Sequence, residues 1–335
     1  MIGKERKASK KPPENGVALL TVLLLVAVMA VIAATALDRL QLSTRLAANA
    51  GSITQARAFA LAAEQIATAR IEDLVSADSA QTTLAGGWMG TERQLPIPGG
   101  TAVAKVGDGG NCFNLNSLVK ESPNGELIAV PFALQQFVSL MGHIGIDRDA
   151  AYVIATSAAD WIDSDQSPIP GGAEDGYYRG LETGYVPPNQ LMISRSELRA
   201  VNGVMPEYWD LLRPWVCTLP IAELSPINVN TLLPEQAPLL AMLIPQANLD
   251  TRAAAAYLSR RPDSGWGSLP QFWSEPLLAD LNPRMQATTQ TKLKTDWFTL
   301  DAVVTLGDSE VTERALIDAR EAPVRVLWRD WGEDS

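Results

Sequence analysis

The sequence predicts an α+β protein. It has a long N-terminal helix, an antiparallel sheet from strands near both ends of the remaining chain, and a large all-α insertion between those strands. Three observations predict this. An uncharged apolar run covers Val17–Leu37 and continues into an Ala-rich helical pattern. Strand patterns occur at Thr101–Val106 and again at Trp297–Leu306, Arg314–Ala319 and Val324–Trp328. The stretch between them, about 114–290, carries helical patterns.

The apolar run comes first. As a helix it is about 32 Å long, enough to cross the ~30 Å hydrocarbon core of a bilayer. Thr21 and Thr35 are its polar interruptions, and each hydroxyl can bond back to a carbonyl one turn earlier. Lys4, Arg6, Lys7, Lys10 and Lys11 precede the run, whereas Asp38, Arg39 and Arg45 follow it. The positive-inside bias predicts a single-pass protein with a cytoplasmic N-terminus and the rest across the membrane.

An ordinary signal peptide has a shorter apolar core and a small-residue cleavage site behind it. Here Gly16 stands before the apolar run and the helix continues beyond it. This layout resembles a class III, prepilin-type leader, 1–16, cut by prepilin peptidase between Gly16 and Val17. Pilin-like proteins usually carry Glu at the fifth mature position, where this chain has Thr21. A subunit without that charge lacks the partner for a subunit ahead of it. The resemblance therefore implies a place at a filament tip.

Behind the span (17–37), residues 38–76 continue as an amphipathic helix. Leu42, Leu46, Ile53, Ala60, Ala63, Ala67, Ile71 and Leu74 recur at helical spacing, and Arg39, Arg45, Arg57, Glu64, Arg70 and Glu72 fall between them. Gly51 is the expected point of bending or weakness.

About 260 residues follow, enough for one large domain or two modest ones. The whole chain has 27 basic and 38 acidic residues. Removing 1–16 takes away five basic and two acidic residues, leaving 22 against 36, a net charge of −14. Such a body argues against nucleic acid as partner. The two cysteines, Cys112 and Cys217, both lie in the exported part, where a disulfide is expected and two buried free thiols are the alternative.

The strand-bearing ends, 77–112 and 291–335, are expected to form one α/β domain, with Gly307-Asp308 as a hairpin turn. The insertion, 113–290, is expected to hold helices at Pro131–Gly142, Asp147–Ile162, Ser194–Val201, Pro206–Leu212, Pro234–Leu243 and Asp250–Arg260. It echoes itself: Phe113-Asn-Leu-Asn-Ser117 resembles Ile227-Asn-Val-Asn-Thr231, and each leads to a helix opened by an aspartate, Asp147 or Asp250. Asn116 and Asn230 are expected to cap helices in the same way. The reading is two related helical units, about 113–215 and 225–290, of a SAM-like or helix-hairpin-helix-like kind. Such hairpins can hold phosphate on a Gly-rich turn. Gly142-His-Ile-Gly145 is a partial match, whereas Ile244-Pro-Gln-Ala-Asn248 has no glycine.

The densest chemistry lies at 160–175: Asp160-Trp-Ile-Asp163-Ser-Asp165, a Pro/Gly loop, then Glu174-Asp175. Carboxylates held close by a short loop repel one another unless a cation sits among them. Hard oxygen donors on a loop suit Ca²⁺. The Asp-x-Asp opening resembles an EF-hand loop, but its glycine and twelfth-position Glu are out of register. Asp163, Asp165, Glu174 and Asp175 are the expected ligands of a structural Ca²⁺, with the carbonyl of Gln166 as a further donor. Asn189 and Glu197 are weaker candidates for a second site. Asp160 is assigned to the helix end. The alternative is a solvated acidic turn.

Taken together, Cys112-Phe-Asn-Leu-Asn116, Asp160-Trp-Ile-Asp-Ser-Asp165 with Gly172-Ala-Glu-Asp175, Ser196-Glu-Leu-Arg199 and Ile227-Asn-Val-Asn-Thr231 resemble the type II secretion system protein K family, the minor pseudopilin K. The resemblance covers essentially the whole chain. It implies a pseudopilin α/β domain with a helical insertion that binds Ca²⁺. It also implies an inner-membrane anchor with a periplasmic body, cleavage after Gly16 and N-methylation of Val17. The implied partners are minor pseudopilins I and J in a tip complex, other pseudopilins, prepilin peptidase and the inner-membrane secretion platform. Secreted substrate and the outer-membrane channel are further implied contacts. The implied role is capping the pseudopilus and supporting its assembly, its length control and the export of folded proteins.

Two other classes compete: an anchored periplasmic enzyme and a DNA-binding component of an uptake pseudopilus. His143 is the single histidine, so HExxH and multi-His metal sites are excluded, and no G-x-S-x-G, P-loop or G-x-G-x-x-G motif occurs. The acidic cluster could supply a glycosidase pair, but only Trp161, Tyr177 and Tyr178 lie near it in sequence to line a cleft. No catalytic residue is assigned.

Overall fold

A computed structural model of the chain describes residues 15–332, and the basic leader residues Lys4 to Lys11 lie outside the described residues. The apolar run and the Ala-rich pattern form one continuous helix, α1 (Asn15–Ala77). It does not break at Gly51. One glycine costs about 1 kcal/mol against alanine, too little to interrupt a helix that propagates on both sides. The hydroxyls of Thr21 and Thr35 donate to the carbonyls of Ala18 and Ile32, each at 2.9 Å.

The two halves of α1 have different surroundings. Its first half is bare: Leu20 is 68% exposed and Leu25 62%. Leu42 and Leu46, expected on the packed stripe, are exposed too, because the sheet begins further along the helix. The first bond to the sheet is at Asn49, whose Oδ1 lies 2.7 Å from Ser309 Oγ. From there Ala56, Ala60, Ala63, Ala67 and Ile71 are buried. Their small side chains let the sheet approach closely.

The sheet has β1 (Arg93–Ile97), β2 (Gly100–Asp108), β3 (Trp297–Leu306), β4 (Ser309–Asp318) and β5 (Arg325–Trp331). Its order is β1-β2-β3-β4-β5, with every neighbouring pair antiparallel. Alternate residues Phe298, Leu300, Ala302 and Val304 of β3 and Val311, Ala315 and Ile317 of β4 face α1. Gly307 and Asp308 make the expected two-residue turn, with Gly307 at φ 59°. The sequence reading missed β1, which contains Pro96. Proline is tolerated there because β1 is an edge strand.

β2 and β3 are adjacent, with Asp108 opposite Phe298, so residues 109–296 leave and re-enter the sheet at one place. Asp108 ties that junction. Its Oδ2 accepts from Thr231 Oγ1 (2.6 Å) and Thr295 Oγ1 (2.5 Å), and its Oδ1 from the N–H groups of Gly110 (2.9 Å) and Asn111 (3.3 Å).

The inserted residues contain α2 (Pro131–His143), α3 (Arg148–Asp160), α4 (Asp175–Arg179), α5 (Pro206–Leu212), α6 (Ala237–Met242), α7 (Thr251–Leu258), α8 (Leu269–Ser274), α9 (Pro276–Ala279) and α10 (Met285–Gln290). Asp147 and Asp250 cap α3 and α7 as expected. Each accepts two N–H groups, from Asp149 and Ala150 or from Arg252 and Ala253. The repeat is built into the hydrogen bonding, but Asn116 and Asn230 are not caps. Asn116 pairs its amide with the backbone N–H (2.8 Å) and carbonyl (2.9 Å) of Met192. Asn230 does the same with Trp266, at 2.7 and 3.1 Å. A buried amide satisfies one donor and one acceptor of a passing backbone segment, which a cap would not do. Each unit is also closed by a short parallel ladder: Phe113–Asn114 against Val216–Cys217, and Ile227–Asn228 against Thr291–Lys292. Cys112 and Cys217 are disulfide-bonded beside the first, with Cα atoms 5.9 Å apart. Both units contribute to one apolar core, in which Phe113 stacks on Phe137 at 4.5 Å.

A candidate metal centre in the acidic loop

Helix α3 ends in an aspartate-rich turn. The α-helical repeat puts Asp160 and Asp163, three residues apart, on one side of it. The intervening Trp161 and Ile162 are buried. Trp161 packs edge-on against Tyr178 (5.3 Å) and Tyr185 (6.1 Å), and the Tyr178 hydroxyl accepts from the Asn202 N–H. The chain then bonds to Leu127 on both sides of Ser164: Ser164 N–H donates to the Leu127 carbonyl, and Leu127 N–H donates to Ser164 Oγ. It then turns through Pro168–Gly172 and returns with Glu174 at the start of α4. Gly172 passes so close to Asp160 that a Cβ there would collide with Asp160 Oδ2.

This path brings one carboxylate oxygen from each of Asp163, Asp165 and Glu174 within 4.8 Å of one another. Asp163 and Glu174 are buried, and Asp165 is exposed, with one oxygen accepting from the Ser167 N–H at 2.7 Å. Asp163 Oδ1, both oxygens of Glu174 and Oδ2 of the fully buried Asp160 have no hydrogen-bond donor. Buried carboxylate oxygens without donors are costly, and a divalent cation would satisfy them.

The electrostatics agree. Asp160, Asp163 and Glu174 are each pushed up to about 7, first by burial and then by one another's charge and that of Asp165. Backbone N–H groups, such as that of Ile169 on Asp160 at 3.1 Å, pull the other way without cancelling the effect. The donor set is all oxygen, which suits a hard cation of the Ca²⁺ class.

Of the other candidates, Asp175 and Glu197 are not among the three residues whose oxygens converge. Asp175 pairs with Arg179 Nη2 at 2.6 Å, one turn along α4. Gln166 is exposed. Glu197 Oε1 accepts the N–H groups of Ile193 and Ser194 in a capping box, which takes up one of its oxygens. Asn189 takes a positive φ of 48°, and its Oδ1 has no donor. Asp160, assigned to the helix end in the sequence reading, is the last residue of α3, and the charges of Asp163 and Asp165 act on it from the turn that follows. Gly16, Val17 and Thr21 sit on the exposed start of α1.

The family described as type II secretion system (T2SS), protein K, matches residues 111–221 and 227–296. Among curated proteins, type II secretion system protein K of Pectobacterium carotovorum subsp. carotovorum is 32% identical, covering 95% of this chain and 97% of that protein. The Klebsiella pneumoniae protein of the same name is also 32% identical, with the same coverage. That of Pseudomonas aeruginosa is 30% identical over 96% of this chain and 93% of its own length. Among solved structures, a chain of the GspK–GspI–GspJ complex from the enterotoxigenic Escherichia coli type 2 secretion system superposes with a TM-score of 0.73 and 30% identity. It covers 84% of this chain and 97% of its own. The long apolar helix, the antiparallel sheet, the inserted helical units and these likenesses along nearly the whole sequence have one conclusion: the chain belongs to the type II secretion system protein K family.

Proposed function

We propose that this minor pseudopilin caps the tip of a type II secretion pseudopilus, in complex with the counterparts of GspI and GspJ. One observation carries the reading: residues 109–296 form a bulky body rooted at a single junction between β2 and β3, beside a helix whose first half is bare and apolar. The bare half of α1 suits the bilayer and then the packed helices of a filament. The bulk of the insert suits an end position, where nothing stacks above it. Thr21 in place of an acidic residue supports the same position, since its hydroxyl is engaged with the Ala18 carbonyl and offers a subunit ahead no charge. In this reading the body is periplasmic, prepilin peptidase cleaves after Gly16, and the capped filament supports assembly, length control and export. The test is to label the subunit and locate it on isolated pseudopili by electron microscopy. Label confined to one end supports the reading, and label along the shaft overturns it.

We further propose that Asp163, Asp165 and Glu174 hold a structural Ca²⁺ that Asp160 helps to balance. The donor-free buried oxygens support it. Calorimetric titration of chelator-treated protein with Ca²⁺ tests it. Saturable binding lost in Asp163→Asn supports the site, and no binding overturns it.

A further inference from the structure

The seat of α1 on the sheet contains a second buried carboxyl cluster. Glu64 of α1 is 1% exposed and Glu313 of β4 is 0% exposed. Both face Arg329 of β5. The guanidinium makes a two-pronged pair with Glu64, Nε to Oε2 at 2.9 Å and Nη2 to Oε1 at 2.7 Å. Its Nε is 3.4 Å from Glu313 Oε1, too long to serve both acids fully. Neither Glu313 oxygen has a hydrogen-bond partner.

Among the described residues, the neighbouring positions supply no second cation at the pair. The residue opposite Glu313 on β3 is Ala302, and on β5 it is Trp331. Arg57 of α1 lies over the Trp331 ring, 5.4 Å from its centroid. Asp301 and Arg314, next in register, pair with each other at 2.9 Å. Two buried carboxyl groups therefore share one guanidinium.

We propose that Glu313 is protonated beside Glu64, and that loss of this proton to solvent loosens α1 from β4 and β5. The cluster is a proton-sensitive latch between the filament-forming helix and the body it carries. Burial, followed by the neighbouring Glu64, holds Glu313 up at about 7, against 4.5 for a free glutamate, in line with the geometry. The latch is thus closed below that value. Above it the acids repel across the helix–sheet interface.

The test uses the full chain in lipid nanodiscs. Amide hydrogen exchange is read by mass spectrometry over residues 56–71 and corrected for the intrinsic pH dependence of exchange. The opening equilibrium of this segment is expected to rise about tenfold between about pH 6 and about pH 8, as linkage requires for a group titrating in that window. Glu313→Gln and, separately, Glu64→Gln each leave one acid with one arginine. Each is expected to remove the pH dependence over 56–71 while leaving that of the 160–175 segment. No rise in the wild type, or a rise that persists in Glu313→Gln, overturns the proposal.

Discussion

Glu64 and Arg329 stand 265 residues apart in sequence and meet in a two-pronged ion pair that pins the helix to the last strand of the sheet. Removing the cation alone strands two buried acids. Arg329→Met is expected to cost roughly 3–5 kcal/mol of unfolding free energy, the range for breaking a buried pair from one side. Denaturant unfolding measures it. A loss under about 1 kcal/mol would mean that the pair behaves as a surface one.

The acidic loop predicts a pH dependence with a definite sign. Asp160, Asp163 and Glu174 hold protons up to about 7 in the folded, ion-free chain, against 3.8 or 4.5 when free. Between those limits the folded chain binds more protons than the unfolded one, so stability falls as pH rises and levels off above about 7. A Ca²⁺ held as proposed would compete with those protons, and its affinity would rise through the same window. Melting curves in chelator and in Ca²⁺ should diverge as pH increases. Superimposable curves across the window would remove the cation from the account. Asp175→Asn should leave the divergence in place, because Asp175 is paired with Arg179.

Asp108 organises the junction by receiving four hydrogen bonds, two of them from Thr231 and Thr295. Asp108→Ala leaves those donors without their acceptor and is expected to destabilise the chain by about 2–4 kcal/mol. Chemical denaturation provides the number. A variant as stable as the parent would show that other contacts hold the insert.

The Cys112–Cys217 bond closes the first helical unit. Its removal in the Cys112→Ser, Cys217→Ser double variant is expected to cost about 2–5 kcal/mol. The loss should appear first as protease sensitivity within 112–217, with the sheet spared. Uniform sensitivity along the chain would mean that the insert and the sheet unfold together.

Much of this architecture was legible in the sequence. An uncharged apolar run, strand alternation at both ends and an Asn-x-Asn motif repeated before Asp-capped helices are local patterns, and local patterns report periodicity and face. β1 escaped because Pro96 demotes a strand unless the edge position is known. The roles of Asn116 and Asn230 escaped because their partners, Met192 and Trp266, lie far along the chain.

By itself, then, the sequence determined the long helix, the split sheet, the helical insert and the loop where carboxylates gather. Each is written in hydrophobic period, turn residues or charge density over a few neighbouring positions. The tertiary structure alone decided which acids converge. It buried Asp160 beside the charges of Asp163 and Asp165, paired Asp175 with Arg179, and turned Glu64 from a surface residue into a buried partner of Arg329. The physical reason is that burial and charge pairing depend on what packs opposite a side chain, and only the folded chain brings those distant residues together.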